Sequence, residues 1–218
     1  MDSFNFNKWN NILGWFVFAV ALLTYWLTVE PTASFWDAGE YITTSSNLEV
    51  GHPPGAPLYQ ILGAFFSIFA LEASNIALTI NLMSVFASAF TILFMFWSIT
   101  ILLRIVISKH HEISKNNAIA LLGSAAVGAL AFTFTDSFWF NAVEAEVYAA
   151  AALILSVLFY CALRWEREMN TPRGNRWLIL IAFVIGLSFG VHFMGLLTIP
   201  AMGFLYFFKN YKTITVKN

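Results

Sequence analysis

With 59% hydrophobic and 11% charged residues, against roughly 45–50% and 25% in water-soluble domains, this chain of 218 residues has too little polar surface to coat a globule. Its length allows one bilayer domain of several helices, and short polar intervals between long apolar stretches leave no room for a soluble domain. The formal net charge of -1 and the lack of a concentrated basic patch exclude a polynucleotide-reading surface, and the uneven placement of the charges carries the topology instead.

In chain order, apolar stretches lie at about 12–29, 57–71, 76–107, 118–135, 147–163 and 177–208. Long unbroken stretches select helices over a closed barrel, which would need many alternating segments of about ten residues. The first helix follows Lys8 and runs from about Ile12 to Val29; it exceeds a secretory core, and no small-residue cleavage site precedes Glu30-Pro31, so it reads as a retained helix. All 11 Lys and Arg fall in four places: Lys8; Arg104, Lys109 and Lys115; Arg164, Arg167, Arg173 and Arg176; Lys209, Lys212 and Lys217. The intervals 30–56 and 136–146 contain none, so they are expected outside, with both termini cytoplasmic.

Sidedness then decides the awkward segments. The stretch 57–71 is short for a crossing that needs about 20 residues, and reads as an interfacial or re-entrant helix anchored near Tyr59. The stretch 76–107 crosses inward and is long enough to tilt or to continue past the membrane. The third crossing carries Gly123, Ala125, Ala126, Gly128 and Ala129, small residues suited to close helix contact. Cys161, the single cysteine, lies in an apolar helix and reports nothing about redox compartment. The run Arg164-Trp165-Glu166-Arg167-Glu168 reads as a solvated helix end, more than as a specific lipid site. Arg176 and Lys209 both belong inside, so 177–208 is expected to be two short helices meeting near Gly190, Val191 and His192, giving six crossings.

The two outward intervals hold the chemistry-bearing residues. In the first, a helix over 34–46 would place Asp37 and Glu40 on one face, with Trp36 and Tyr41 at the lipid headgroup level. Close carboxylates repel, which raises one pKa toward proton transfer, or else both face a polar cavity or a cation; a solvated helix face is the plainer alternative. Gly51, Pro53, Pro54 and Gly55 form a stiff bend that can return His52 toward the carboxylates, although such a histidine also serves merely as a helix cap. In the second interval, Glu144 and Tyr148 would face the same way on a helix, with Glu146 elsewhere. His192 at the last outer turn completes a ring of polar groups or stays structural. No phosphate-binding glycine loop, dinucleotide fingerprint, zinc spacing or internal repeat is present.

The runs Trp36-Asp37-Ala38-Gly39-Glu40, Gly51-His52-Pro53-Pro54-Gly55-Ala56-Pro57, Glu144-Ala145-Glu146-Val147-Tyr148 and Gly186-Leu187-Ser188-Phe189-Gly190-Val191-His192 resemble the N-terminal membrane part of a bacterial family related to vertebrate transmembrane O-mannosyltransferases. More distantly they are similar to the protein O-mannosyltransferases, with their acidic pair and His-Pro-Pro motif. The resemblance covers essentially the whole chain. It implies an all-α integral membrane protein of type C glycosyltransferase fold, with juxtamembrane helices in the first outward loop, and makes 1–218 a single transmembrane domain, the N-terminal module of a longer enzyme of the bacterial inner membrane.

By the same resemblance the donor is a lipid-phosphate-linked sugar and the acceptor a hydroxyl of an exported polypeptide or glycan, with membrane lipids and no nucleic acid as further partners. Asp37 matches the catalytic base, Glu40 its acidic neighbour and His52 the loop histidine; here Ala38 and Gly39 separate carboxylates that are adjacent in the protein O-mannosyltransferases. Tyr41, Glu144, Glu146, Tyr148 and His192 are the further residues expected to bind donor or acceptor. No cofactor is expected, with a divalent cation as the alternative. A lipid-linked sugar transporter or flippase, and a non-catalytic assembly subunit, are the competing functions.

Overall fold

The computed structural model describes residues 4–108 and 113–211; Lys109, Lys212 and Lys217, on which part of the expected sidedness rests, lie outside the described residues. Among the described residues the chain is all helical: α1 (Phe6–Leu27), α2 (Ala38–Asn47), α3 (Pro57–Ser67), α4 (Ile76–Ser108), α5 (Lys115–Thr133), α6 (Asp136–Ala142), α7 (Val147–Glu168), α8 (Gly174–Ser188) and α9 (Thr198–Asn210), with single 3-10 segments at Ala73–Asn75 and Phe193–Leu197. Four of these, α1, α4, α5 and α7, are long and apolar enough to cross a membrane. The protein is a multi-pass membrane helix bundle.

The 33 residues of α4 rise about 50 Å and are apolar on every side, which suits a helix buried among others. It is the central post, packed against α1, α3, α5 and α7. Val85, Ala89, Ile92 and Phe96 of α4 meet Val17, Ala21 and Tyr25 of α1 and Leu121, Leu122, Ala125 and Ala129 of α5 in one buried cluster. The small contact face of α5 is therefore made by Ala118, Ala125 and Ala129, all with no exposed surface. Gly123, expected to share it, is exposed and has nothing within 4 Å of where its Cβ would stand. Its position on the helix turns it away from α4.

Contacts between helix ends show that the chain runs back and forth. At one end, the Arg104 guanidinium stands 5.2 Å over the Phe6 ring, Lys209 Nζ meets Glu166 Oε1 at 2.6 Å, and Trp177 Nε1 donates to Glu168 Oε2 at 3.2 Å. At the other end, Tyr25 Oη donates to the Thr133 carbonyl at 2.9 Å and Glu30 N–H to the Val143 carbonyl at 2.9 Å. Among the described residues Arg104, Arg164, Arg167, Arg173, Arg176 and Lys209 thus collect at one end of the bundle and the acidic loops at the other. Because α8 begins and α9 ends beside the last turn of α7, the segment 177–208 does fold back on itself, at 189–197. Helix α8 rises about 22 Å; the five 3-10 residues and thirteen α residues after the turn together rise about 30 Å. The 3-10 stretch, with its longer rise, lets the returning leg reach farther than its residue count suggests. Pro200 in the first turn of α9 lacks only a donor that the helix start leaves unused.

Several local expectations change. The helix of the first acidic loop starts at Ala38 because Trp36 adopts a left-handed φ of 59°, which no helix tolerates, so Asp37 is its N-cap and Glu40 lies in its first turn. Helix α3 ends at Ser67 and is too short to span, as its length implied. The interval 136–146 contains a short helix, α6, opened by Asp136, whose charge suits the positive end of the helix. Trp165 is buried against Leu158, Cys161 and Ile181 while Arg167 is exposed, so the helix end at 164–168 is packed on its tryptophan side and solvated only on the other.

Candidate active site

The two acidic loops are fastened together from below. Asn81, fully buried in α4, donates from Nδ2 to the carbonyls of Glu30 at 2.6 Å and Thr32 at 2.9 Å, which fixes where the first loop leaves α1. Ser34 Oγ donates to Glu144 Oε2 in the second loop, and Trp139 Nε1 to Thr28 Oγ1 at 2.9 Å. The hairpin tip joins the assembly through α3. The first N–H groups of a helix lack partners within it, and here those of Leu58 and Tyr59 donate to the Gly190 carbonyl at 2.7 and 3.1 Å. A Cβ on Gly190 would stand 2.7 Å from Leu58 Cβ, so this approach needs glycine.

Asp37, Tyr41, His52, Glu146, Tyr148 and His192 line one cavity of about 210 Å³ at this junction, with Phe189 and Phe193 at its edge. It is smaller than the roughly 300–1,000 Å³ of drug-sized ligand sites. Tyr41 is buried at the cavity wall, packed on Tyr59 at 5.2 Å between ring centres and 6.0 Å from the His52 ring. It therefore faces the protein interior and not lipid, because α2 lies over α3 and α4 and turns that face inward. Burial pushes its phenol up to about 12, with Glu146 the largest charge acting on it. Phe35 and Trp36 take the exposed position instead, at 81% and 85%.

The bend at 51–55 returns His52 to α2 as expected. Its backbone N–H donates to Glu40 Oε1 at 2.6 Å and its ring Nδ1 pairs with Glu40 Oε2 at 3.1 Å, so both oxygens of one carboxylate hold the loop. A Cβ on Gly51 would lie 3.0 Å from Glu40 Oε1, while the Pro53-Pro54 peptide is cis and Gly55 has φ of 80°. The His52 hydrogen bonds lower the Glu40 pKa and, reciprocally, Glu40 raises that of His52. A protonated His52 with Nδ1 committed to Glu40 offers Nε2–H as a donor. Asp37, although it is the N-cap residue, makes no side-chain cap bond and is exposed. Ligand atoms of Asp37, Glu40 and His52 lie within 4.8 Å of one another, which is compatible with holding a divalent cation.

The second loop arranges its carboxylates the other way round from a continuous helix. Chain direction changes between α6 and α7, with Glu146 the extended N-cap of α7, so Glu146 and Tyr148 face the cavity while Glu144 turns back to Ser34 and is 2% exposed. Burial raises the pKa of both glutamates, and that of Glu146, with Asp37 and Glu144 adding to the effect, reaches about 7. Burial dominates and the negative neighbours add to it, which leaves Glu146 as an acid near neutrality. His192 caps the 3-10 helix, its Nδ1 accepting from Met194 N–H at 3.2 Å, while its ring lies 5.5 Å from Tyr148. That bond leaves the proton of the neutral ring on Nε2. Capping and a place in the cavity are thus compatible. Ser34, Asn81 and the docking role of Gly190 were not foreseen; an Asn within a long apolar helix is the signal that could have found one of them.

The chain is 27% identical over 175 residues to "Protein O-mannosyl-transferase TMEM260" of Mus musculus, covering 79% of this chain and 22% of that protein. It is 28% identical over 162 residues to "Protein O-mannosyl-transferase tmem260" of Dictyostelium discoideum, covering 74% of this chain and 18% of the relative. The chain thus spans about a fifth of the length of the curated relatives it matches. No solved structure matches it. The family model for the N-terminal domain of the protein O-mannosyl-transferase TMEM260 matches residues 37–215, from Asp37 of the cavity to the far side of α9, and the chain belongs to that family.

Proposed function

We propose that this chain is the sugar-transfer module of a type C glycosyltransferase, moving a hexose, mannose by analogy with its relatives, from a polyprenyl phosphate to a hydroxyl of an exported protein or glycan. In this reading 1–218 is the N-terminal module of a longer enzyme, set in a bacterial inner membrane with both termini cytoplasmic and the acidic loops outside. The carrying observation is the exposed carboxylate of Asp37 in one cavity with Glu146, Tyr148 and two histidines, where a polar cleft meets the apolar flank of the bundle.

The acceptor hydroxyl is a weak nucleophile at neutral pH. Asp37 accepts its proton as the oxygen attacks the anomeric carbon; the new C–O bond forms, the bond to the phosphate oxygen breaks, and the electron pair leaves with the phosphate, inverting the sugar centre. The leaving phosphate needs donors, and no Lys or Arg lies in 30–56 or 136–146. His52 and His192 supply Nε2–H groups, and Glu146, half protonated near pH 7, donates where an ionised carboxylate would repel. Glu40 acts through His52 and positions it. Tyr41 and Tyr148 border the sugar, and Glu144 holds the second loop through Ser34.

The test is a kinetic separation. Asp37→Asn in the membrane-embedded protein is expected to lower kcat by at least about 100-fold with KM for the lipid-linked donor nearly unchanged, since a base acts only in the reacting state. Unchanged kcat removes Asp37 from the chemistry. A second reading adds a divalent cation at Asp37, Glu40 and His52, favoured by the closeness of their ligand atoms; transfer abolished by a chelator and restored by Mg²⁺ or Mn²⁺ would select it.

A further inference from the structure

At the opposite end of the bundle lies a cavity of about 480 Å³, walled by α1, α4 and α7. Three arginines, Arg104, Arg164 and Arg167, face it with one carboxylate, Glu168, and the side-chain amides of Asn7 and Asn10. Arg164, Arg167 and Glu168 together carry a net charge of +1. The carboxylates nearest in sequence are already engaged. Glu166 is drawn to Lys209 at 2.6 Å, and Glu168 spends one oxygen on Arg164 at 3.7 Å and the other on the Trp177 indole at 3.2 Å. Among the described residues Arg167 therefore has no carboxylate partner within 4 Å.

Arg164 is held in place for a ligand. Its Nη1 donates to Tyr160 Oη at 3.1 Å and its guanidinium stacks 5.2 Å over Trp177, which fixes the plane of the fork. A second cavity of about 370 Å³ adjoins on the other side of Arg164 and presents Arg173 and Arg176. Converging guanidiniums at the end of a membrane bundle, amide donors beside them and an indole at the edge fit an oxyanion with several acceptors. Phosphate is the group that planar bidentate donors match best at this depth.

From this we infer that the basic end of the bundle is a second ligand site, which binds a net-anionic phosphate group through Arg164 and Arg167. The site is remote from the acidic cavity and holds whether or not the chain transfers sugar. Its phosphate comes from an anionic lipid headgroup or from a free phosphate.

The experiment is retention of lipid by the purified full chain, read by native mass spectrometry from mixed phosphatidylglycerol and phosphatidylcholine micelles. Phosphatidylglycerol is expected to be retained preferentially, and Arg167→Gln to weaken retention roughly tenfold, as the loss of one charge-assisted donor predicts. Arg164→Gln with Arg167→Gln weakens it further, and Lys8→Gln, which is outside the cavity, leaves it unchanged. Arg167 is exposed, so its single variant tests the site even if the double variant does not fold. Displacement of the lipid by inorganic phosphate identifies a site satisfied by free phosphate, and retention in its presence identifies the lipid headgroup; either supports the site. Equal retention of the two lipids, or a wild-type preference in Arg167→Gln, overturns it.

Discussion

Replacing Glu146 by Gln gives a prediction whose size follows from the structure. Burial, with the negative charges of Asp37 and Glu144, lifts the Glu146 carboxyl from 4.5 to about 7. At about 1.4 kcal/mol per pH unit, the folded protein carries a penalty of about 3 kcal/mol once this group ionises. The sign is set by the proton count. Between pH 4.5 and 7 the unfolded carboxyl has released its proton while the folded one retains it, so the Glu146 contribution falls as pH rises through that window and is flat above it. Glu146→Gln removes the titration. Relative to wild type, the variant should gain about 3 kcal/mol between pH 4 and pH 8, seen as thermal unfolding temperatures in detergent that diverge with pH by several degrees. Parallel curves for the two proteins across this range would refute the placement of Glu146 in a desolvated, like-charged setting. On the proposed mechanism wild type should lose transfer activity as pH rises through about 7, and the same substitution should flatten that loss.

Other substitutions test the architecture that brings the loops together. Asn81→Leu leaves the carbonyls of Glu30 and Thr32 without their buried donor and should cost about 2–3 kcal/mol in unfolding measurements, with faster amide exchange over 30–36. Gly190→Val drives a side chain into Leu58 and should lower donor affinity at least tenfold by displacing His192, without touching Asp37; donor affinity equal to wild type would show that the hairpin tip does not shape the cavity. His52→Ala should release the 51–55 bend and increase its protease sensitivity, and raising pH above the elevated pKa of His52 should do so to a smaller degree, because the ring loses its charge while the backbone N–H bond to Glu40 stays. Trp36→Ala should leave the fold unchanged and weaken attachment of the first loop to lipid, measured as a loss of tryptophan quenching by brominated lipids.

The layout of the helices could be read in good part from charge placement and segment length. Arg176 and Lys209 with 32 residues between them required a reversal, and the chain reverses at 189–197. The stretch after Ala56 was too short to cross, and α3 indeed stops at Ser67. What escaped was local orientation. Tyr41 was placed at the headgroups from its amphipathic character, but the packing of α2 on α3 decides its direction and buries it. Glu144 and Glu146 were sorted by helical spacing across a segment that the α6–α7 turn interrupts, so the sorting was reversed. Asp37 and Glu40 do lie close together, as their spacing implied, but the pairing of Glu40 with His52 was invisible, because it depends on the returning 51–55 bend. The long-range bonds of Asn81 and Gly190 leave no periodic trace in a sequence. Their partners are 49 or more residues away for Asn81, and on the far side of the chain for Gly190.

The most direct trial of the proposed activity uses the protein in proteoliposomes with polyprenyl-phosphate mannose and an acceptor peptide confined to the side of the acidic loops. Mannose is expected to become covalently attached to the peptide by the wild-type protein, and not by the Asp37→Asn variant inserted in the same orientation. Intact donor crossing the bilayer with no sugar on the peptide would contradict the account and assign the molecule to transport.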